Sequence, residues 1–548
     1  MIAVQTQAIA APALISLRGG RAEAPLPQDD EERLAQAQAL FKDAYPAYFA
    51  TSTLDELRET EYGRLASAET YVDYTGASLF PQQLVLEHGK MLLQSGELFG
   101  NAHSRSESSR RSSELAYEAR LTVLKFFDAD PEEYSVIFTP NATGALKMVG
   151  ESYPYKGDSS TIFLPVDAHN SVHGLRVFAE RCGAQVQYYG CGDRGGVDMV
   201  DLASKLEASQ HGPSLLVVTG QSNVTGAKAP LQEILPLAQR RGCHILLDAA
   251  ALAPTSHFSL RETPVDACAV SFYKIMGYPT GLGALVVRRT FARTVMRRVW
   301  FAGGTVTAVQ VPGAGPASYH FVAPPEETEC PIAQNAFEQH ESSDHAPSDV
   351  DAEKWEDGTI NYLSIPAVKM GLELVAQYKP FLPARLTVLT DYLAKGLLRL
   401  THPKNGAPIV LIVSTLPDVD RPGACGPLVS CVFLNAAGKP IRNDVVEKSA
   451  RASRIALRTG CLCNPYSVFG LLHRSGKFPA RETADGMVDL DWWMKNMHLG
   501  MRGKDEIANL LFEGDPNFGL VRISLGLVSN FEDVYRVLKW AEHAVPTL

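Results

Sequence analysis

Short apolar runs alternate with longer amphipathic stretches between about residues 70 and 300. Helical patterns separate most of these runs, which indicates β-α-β crossovers and a mainly parallel sheet. The sequence therefore predicts an α/β fold with a mainly parallel seven-stranded sheet, whose ligands bind at the carboxyl ends of the strands. The candidate strands are SVIFT (135–139), TIFLPV (161–166), QVQYYG (185–190), SLLVVT (214–219), HILLDA (244–249), ACAVSF (267–272) and GALVVR (283–288).

The pattern changes after residue 302. A long stretch rich in Gly, Pro, Ser and acids predicts a surface excursion, and the strand and helix patterns that follow it predict a smaller α+β domain. The predicted organisation is a flexible N-terminal tail (1–30), a helical segment joining the small domain (31–70), the large ligand-binding domain (71–302), an acidic insertion (303–350), the end of the large domain with a connecting helix (351–400), and a small C-terminal domain (401–548) with an insertion (481–519).

Composition places the chain among globular proteins and narrows its partners. Its 548 residues are 45% hydrophobic and 20% charged, with 51 basic and 61 acidic side chains. Residues 326–357 hold eleven acids against one base, Lys354. An acidic chain without a basic stripe argues against a nucleic-acid partner. No apolar run approaches the length needed to cross a bilayer, so we expect no membrane partner and instead small-molecule or protein partners.

Cysteine usage and the N-terminus indicate a reducing compartment. The nine cysteines are odd in number and sparsely spread, unlike a disulfide framework. Cys461 and Cys463 form a CxC pair without a second ligand cluster, so we expect no metal site. The first residues lack the basic region of a secretory signal, which favours a cytoplasmic location. Arg18 and Arg21, ahead of the first acid, leave a mitochondrial presequence as a minor alternative.

Lys274 is the first candidate for chemistry. It follows the predicted strand ACAVSF and precedes a glycine-rich turn. A lysine at a strand end in a crevice can become a desolvated nucleophile that forms a Schiff base with an aldehyde. On its own, such a lysine is more often a solvated surface charge. Two other segments of the sequence favour the catalytic interpretation of Lys274 over the surface charge.

Two further segments supply complementary groups. Asp248 ends a strongly apolar strand, where a carboxylate needs a cation or a helix start to cap. A protonated pyridine nitrogen is one suitable cation. Further upstream, VIFTPNATGALK predicts a strand, a turn and a helix beginning near Ala142, where exposed amides and the Thr143 hydroxyl form an anion site. A simply capped helix is the alternative there. A phosphate cradle, a carboxylate and a lysine are together what pyridoxal phosphate needs.

At this point the sequence resembles the class V aminotransferase and cysteine desulfurase family of fold type I, and most closely the sulfurase domain of molybdenum cofactor sulfurases. The similarity spans about residues 71 to 540 in ten ordered blocks. They are YVDYTGASLFP, GNAHSRSESS, VIFTPNATGALK, QSNVTGAKAPL, LLDAAALAPTS, SFYKIMGYPTGLGALVV, FAGGT, EDGTINYL, LRTGCLCNP and VRISLGLVSNFEDV.

The resemblance implies pyridoxal 5'-phosphate as cofactor and roles for further residues. His169 corresponds to the histidine that stacks on the pyridine ring, and Asn223 to the asparagine near the phenolic oxygen. Ser271 matches a phosphate ligand beside Ala142, Thr143 and Gly144. Thr359 corresponds to a threonine that reaches the phosphate in the neighbouring subunit, which implies a homodimer with shared active sites. His103, in GNAHSRSESS, joins the predicted substrate-binding residues.

The substrate and sulfur sites also follow from the resemblance. Arg522 matches the arginine that binds a substrate α-carboxylate, a task that suits its planar fork; the alternative is a surface ion pair. Cys463 aligns with the cysteine that forms a persulfide, and Arg458 is the nearby cation that would favour its thiolate. Cys461 would point the other way if the segment is extended. We therefore expect Cys461 to be structural.

Three departures from the family pattern affect the functional prediction. After Cys463-Asn464 the chain continues with Pro465, Tyr466 and Ser467 where the family has a Gly-Ala-Cys run. The chain ends soon after the small-domain helix, so we expect no C-terminal cofactor-binding module and not a complete molybdenum cofactor sulfurase. The segments 303–350 and 481–519 are longer than the family pattern.

The prediction is a homodimeric enzyme that takes an L-amino acid, most simply cysteine, and moves its sulfur to Cys463. A protein or metabolite then accepts that sulfur. The first alternative keeps the cofactor but makes the chain a carbon–sulfur lyase, or an amino-acid lyase or transferase without a persulfide. The second is a non-catalytic scaffold, which would have no need of Lys274, Asp248, His169 and Arg522 together.

Overall fold

The computed structural model describes residues 28–94, 96–209, 212–301, 303, 306–311, 318–321, 349–474 and 519–548. The predicted tail (1–30) lies outside these ranges except for its end, where the first helix begins at Gln28. The predicted insertion at 481–519 also lies outside them, apart from Gly519.

The described residues form fifteen strands, named here in chain order. They are β1 (Thr70–Tyr71), β2 (Tyr134–Thr139), β3 (Thr161–Pro165), β4 (Gln185–Tyr189), β5 (Ser214–Thr219), β6 (Cys243–Asp248), β7 (Ala267–Ser271), β8 (Gly283–Arg288), β9 (Val306–Gln310), β10 (Ser318–Phe321), β11 (Val410–Ile412), β12 (Leu428–Phe433), β13 (Ile455–Ala456), β14 (Arg458–Gly460) and β15 (Leu520–Ser524).

Strands β2 to β8 form one seven-stranded sheet in the order β2-β8-β7-β6-β5-β3-β4. Pairing is parallel from β7 across to β4, whereas β8 runs antiparallel to both of its neighbours. The prediction of a mainly parallel seven-stranded sheet is confirmed, with β8 as the reversed strand. The connection 272–282 before β8 is too short for a full crossover helix, which explains the reversal.

Helices cover both faces of this sheet. Strands β2, β3 and β7 are buried along their whole length, which is why they read as continuous apolar runs rather than alternating ones. The longer helices are Gln28–Ala44, Thr53–Glu61, Gln82–Leu92, Glu107–Phe126, Ala142–Ser152, Met199–Ala208, Leu231–Arg240, Ile365–Tyr378, Leu382–Arg399, Asn443–Ala452, Pro465–Arg474 and Phe531–His543; one-turn to two-turn helices span Asn170–His173, Arg176–Arg181, Phe272–Met276 and Val350–Glu353.

A second, antiparallel sheet has the order β11-β12-β15-β14. Helix Phe531–His543 follows β15 and begins with a capping box, in which Asn530 and Asp533 each accept a backbone N–H of the other. The short strand β1 pairs in parallel with β13. The N-terminal part of the chain is thereby fastened to the part that follows residue 400.

The stretch after residue 302 contains one element that the sequence pattern did not indicate. Strands β9 and β10 pair as an antiparallel hairpin within a segment that we expected to be an irregular excursion. The acids at its end are held to the large sheet: Asp349 and Asp351 both form ion pairs with Arg289. These acids act as anchors, not as a free acidic surface.

Candidate active site

Four functional segments lie at the carboxyl ends of the parallel strands. β6 ends at Asp248, and β7 ends at Ser271 just before helix Phe272–Met276. β3 leads to His169, and β5 leads into the turn that carries Asn223. Because β3, β5, β6 and β7 run in parallel, the side chains that follow them lie at one edge of the sheet.

Lys274 lies on the one-turn helix after β7 and lines a cavity with Tyr74, Gln221 and Thr255. Burial lowers the pKa of the Lys274 amine, while the charge of Asp248 opposes that shift. A lowered pKa brings the amine closer to its neutral, nucleophilic form at neutral pH. A solvated surface charge, the alternative interpretation, does not fit this environment.

Two glycines allow the backbone around Lys274 to approach its neighbours. Gly277 ends the helix at φ +75°, and a Cβ there would lie 2.4 Å from the backbone carbonyl carbon of Leu79. At the start of β8, a Cβ on Gly283 would lie 2.6 Å from Cα of Asn141. Only glycine allows the backbone to come this close at both positions. The two glycines therefore help to determine the position of Lys274 relative to the neighbouring segments.

Asp248 supplies a carboxylate to the site, and His169 supplies an imidazole. Asp248 is buried, and its Oδ1 accepts the Ala250 N–H at 3.0 Å; no described residue donates a hydrogen bond to its other oxygen. His169 Nδ1 accepts the Ser171 N–H at 3.1 Å, which leaves the ring proton on Nε2. Burial lowers the pKa of His169, against the opposing charge of Asp248. The imidazole is therefore neutral at neutral pH.

The start of helix Ala142–Ser152 is more fully capped than we expected. Asn141 Oδ1 accepts the Gly144 N–H at 3.0 Å, and Ser271 Oγ accepts the Ala142 N–H at 2.8 Å. The Thr143 hydroxyl is exposed and lies 2.8 Å from Ser171 Oγ. A phosphate at this helix start would share donors that already have partners in the chain, because the Asn141 cap occupies the first turn.

Arg522 approaches the site from β15. Its guanidinium is almost fully buried; Nη2 lies 2.7 Å from Asp73 Oδ1 and Nη1 donates to the Asn223 carbonyl at 3.0 Å. Its Nε has no hydrogen-bond partner among the described residues. Burial lowers the pKa of Arg522, with Asp73 opposing the shift. Arg522 does pair with a carboxylate, but inside the protein and not on the surface.

Cys463 lies in a tight turn beyond β14. Leu462 and Cys463 both have φ +55°, a left-handed conformation that such residues seldom adopt. Two bonds hold the turn to the large sheet, from Asn170 N to the Cys463 carbonyl at 2.8 Å and from Asn223 Nδ2 to the Leu462 carbonyl at 2.7 Å. The segment is a turn, so the extended geometry assumed for Cys461 does not occur.

The two cysteines of the turn differ in their surroundings. Arg458 Nη2 lies 4.0 Å from the Cys463 sulfur, and Arg458 faces Arg522 directly across β14 and β15. Burial raises the pKa of the Cys461 thiol, which keeps it protonated. Cys463 thus has the Arg458 guanidinium within 4.0 Å of its sulfur.

Asp167, Asn464 and Ser467 are central residues that the sequence analysis missed. Asp167 Oδ1 accepts hydrogen bonds from Asn464 Nδ2 at 2.9 Å and from Ser467 Oγ at 2.6 Å, and all three residues are buried. One signal was available: Asp167 follows an apolar strand directly and precedes His169 by two residues, a costly position for an unpaired carboxylate.

Two predicted residues are not brought to this cluster. Thr359 is exposed, and its hydroxyl accepts a hydrogen bond from Asn101 Nδ2 at 3.4 Å. His103 is also exposed, and it lines a different cavity beside Arg120. Within one chain, neither residue lines the cavity that contains Lys274.

Several buried polar atoms of the described residues have no hydrogen-bond partner, and among them are Thr219 Oγ1, Gln221 Oε1, Thr255 Oγ1 and Arg522 Nε. Gln221 and Thr255 line the same cavity as Lys274. Leaving such groups unsatisfied costs free energy, which a polar ligand in this cavity would offset. Together with Lys274 and Asp248, this donor and acceptor set fits a phosphorylated pyridine aldehyde. The described residues contain no group of His, Cys, Asp and Glu suited to a metal ion, and no helix among them is long and apolar enough to cross a membrane.

The family model described as aminotransferase class-V matches residues 70–326. The chain is 32% identical over 508 residues to a molybdenum cofactor sulfurase of Bos taurus, covering 90% of this chain and 52% of the relative. It is 31% identical over 521 residues to a molybdenum cofactor sulfurase of Solanum lycopersicum, covering 89% and 57%. The chain thus spans little more than half the length of these curated relatives.

Solved structures share the fold. The apo structure of a cysteine desulfurase from Thermococcus onnurineus superposes with a TM-score of 0.66 at 20% identity, covering 90% of this chain and 98% of that one. The cysteine desulfurase CsdA of Escherichia coli gives a TM-score of 0.63 at 19% identity, covering 90% and 99%. At these identities the likeness establishes the fold of the chain.

Proposed function

We propose that this chain, which belongs to the aminotransferase class-V family of pyridoxal phosphate-dependent enzymes, moves sulfur from L-cysteine to its own Cys463. The observation that carries the proposal is the meeting of two parts of the chain: the cofactor-type cluster of Lys274, Asp248 and His169 and the turn that bears Cys463. The Asn170 N–H binds the Cys463 carbonyl at 2.8 Å, one residue after His169.

The chain's own side chains divide the work of holding the cofactor. When bound, pyridoxal phosphate supplies an aldehyde for an amine and an electron-withdrawing ring. Lys274 would supply the amine for that aldehyde. Asp248 would face the ring nitrogen with its Oδ2, and His169 would cover one face of the ring. The Thr143 and Ser271 hydroxyls would hold the phosphate together with the amides of Ala142 and Gly144, which donate to Ser271 and Asn141 in this structure.

Other residues act on the substrate. Arg522 binds the α-carboxylate with the donors that Asp73 and the Asn223 carbonyl leave free, and Asn223 would face the ring. The Lys274 amine, with its lowered pKa, takes the α-proton and returns a proton to Cα when alanine forms. Arg458, 4.0 Å from the Cys463 sulfur, places a positive charge beside the sulfur that reacts.

The sulfur transfer balances without an external oxidant. The Cys463 thiolate attacks the substrate sulfur, and a new sulfur–sulfur bond forms as the substrate Cβ–S bond breaks. The electron pair of that bond stays with carbon, which takes up a proton, so the carbon is reduced and the sulfur is oxidised. The products are alanine and a persulfide on Cys463. A protein or small-metabolite thiol then accepts the outer sulfur of that persulfide.

We further propose a homodimer in which Thr359 of each chain serves the phosphate of the other. The exposed position of Thr359, whose hydroxyl contacts Asn101, favours action across an interface over action within one chain. Cross-linking with size measurement tests this directly. A Thr359→Ala chain mixed with a Lys274→Ala chain should recover cofactor binding at one site only if the sites are shared.

Product analysis tests the sulfur-transfer proposal. The purified holoenzyme is given L-cysteine with a reducing thiol, and alanine, pyruvate and sulfide are measured together. Cys463→Ser should lower alanine formation by about 100-fold or more. The matched control Cys461→Ser should retain it, because partial burial raises the pKa of the Cys461 thiol and keeps it protonated. Pyruvate in place of alanine, with Cys463→Ser fully active, would establish the carbon–sulfur lyase alternative.

A further inference from the structure

Asp167 is a buried carboxylate at the centre of a polar network. It is 2% exposed, and Oδ1 accepts hydrogen bonds from Ser222 Oγ at 2.7 Å, Asn464 Nδ2 at 2.9 Å and Ser467 Oγ at 2.6 Å. Oδ2 accepts the Gly196 N–H at 3.1 Å. All of these donors are neutral groups, so hydrogen bonds alone replace the water that the carboxylate loses.

A carboxylate in this position is costly unless several strong hydrogen bonds hold it. Bonds to an ionised acceptor are about twice as strong as those between neutral groups. The hydrogen bonds therefore stabilise the Asp167 carboxylate most when every donor is in place. They also hold the donors in position more strongly than bonds to a neutral amide or hydroxyl oxygen would.

The Asp167 carboxylate and its side-chain donors join three separate parts of the site. Asp167 itself lies two residues before His169, and Ser222 immediately precedes Asn223. Asn464 immediately follows Cys463, and Ser467 lies in the first turn of helix Pro465–Arg474. The partners are distant in sequence: 55 residues separate Asp167 from Ser222, and 297 separate it from Asn464.

The cysteine turn needs such support. Leu462 and Cys463 keep φ +55°, a conformation that costs free energy in residues with a Cβ and persists only where neighbouring contacts fix it. Asn464 is fully buried, and its Nδ2 also lies 3.2 Å from Asn223 Oδ1. The Asp167 bonds hold the residue next to Cys463 from the side of the sheet.

We propose that Asp167 is a positioning residue for sulfur transfer, which fixes the Cys463 turn against the His169 and Asn223 segments. The inference rests on the proposed function of Cys463 as sulfur acceptor. Asp167 itself touches neither substrate nor cofactor. Its role is to keep the Cys463 sulfur at the distance and direction that attack on the substrate sulfur requires.

The test separates positioning from general stability with three variants. Ser467→Ala removes one bond on the turn side and leaves the Ser222 bond in place. Asp167→Asn keeps the shape but sets an amide nitrogen against either the Gly196 N–H or the donors on Oδ1. Ser259→Ala is the matched control, because it removes a 2.8 Å bond from a buried serine to a different carboxylate, Asp128.

Two measurements are made on each variant. In cofactor-free protein, the rate of iodoacetamide alkylation at Cys463 is followed by peptide mass spectrometry, with the exposed Cys182 as internal reference. In the holoenzyme, kcat and KM for alanine formation are measured. We expect Ser467→Ala and Asp167→Asn to raise the Cys463 alkylation rate by about threefold or more, since the turn opens more often. We expect kcat to fall by about tenfold or more with KM within about twofold.

The control defines the result that overturns the inference. If Ser467→Ala changes the Cys463 alkylation rate and kcat no more than Ser259→Ala does, the network is merely structural. Failure of the proposed function looks different: Cys463→Ser would then form alanine at the wild-type rate, while the alkylation measurement would still report whether Asp167 holds the turn.

Discussion

Replacing Arg522 with lysine separates its charge from its planar fork. In the structure, Arg522 Nη2 donates a hydrogen bond to Asp73 Oδ1 at 2.7 Å and Nη1 donates one to the Asn223 carbonyl at 3.0 Å. Its Nε has no hydrogen-bond partner among the described residues. A lysine can keep the ion pair with Asp73 but cannot also present two parallel donors to a substrate carboxylate. A hydrogen bond to a charged group contributes about 1.5–3 kcal/mol. At 1.4 kcal/mol per factor of ten, Arg522→Lys should weaken L-cysteine binding about 10-fold to 100-fold.

The assay compares L-cysteine with cysteamine, which has the same amine and thiol but no carboxylate. Each is titrated into the holoenzyme, and binding is followed by the change in the cofactor absorbance. The wild type should prefer cysteine, and Arg522→Lys should lose that preference while cysteamine binding stays within about twofold of wild type. An equal loss for both ligands would refute the reasoning, because Arg522 would then support the site without contacting the carboxylate.

Three further predictions concern the frame around the site. Glu356→Gln should lower the free energy of unfolding by about 3 kcal/mol in urea titrations, because it leaves Arg120 as a buried unpaired charge. The control Asp444→Asn breaks an exposed ion pair and should lower it by under about 0.5 kcal/mol. Equal losses for the two variants would contradict this. Burial lowers the pKa of His173 to about 4, whereas in the unfolded chain the pKa of this side chain is 6.5. As the pH falls, the unfolded chain therefore binds a proton at His173 before the folded protein does. About 3 kcal/mol of stability should therefore be lost between pH 6.5 and 4, and His173→Phe should remove that part of the pH dependence, which an unchanged pH profile would disprove. Gly277→Ala should destabilise the protein clearly more than Gly281→Ala in the same titrations, since both have φ +75° but only Gly277 meets backbone; matching values would be inconsistent with the structure.

The large sheet was predictable from local pattern. Each of its seven strands lies within one residue of the run that predicted it. Six of them are largely buried and leave continuous apolar runs, whereas the edge strand β4 is only partly buried and combines apolar with polar residues. The reversed direction of β8 was not predicted, although the short connection 272–282 contained the signal. Hydrophobic pattern reports burial and does not report strand direction.

The site was predictable only where one segment carries its own signal. Asp248 ends an apolar strand and Lys274 follows another by three residues, so their positions stood out in the sequence. Asp73 lies 449 residues from Arg522, and no local pattern relates them. The bond from the Ala142 N–H to Ser271 Oγ depends likewise on a contact between segments that are 129 residues apart. Such pairings are set by the packed fold, which a single sequence does not display.

One measurement tests the central claim most directly. The absorbance spectrum of the purified protein is recorded before and after adding L-cysteine, beside Lys274→Ala, with alanine assayed in the same sample. The account predicts a visible band from the lysine-bound cofactor, absent in Lys274→Ala, and alanine formed in step with the sulfur transferred. A wild-type protein that binds no pyridoxal phosphate, or one that keeps the same band after Lys274→Ala, would contradict it.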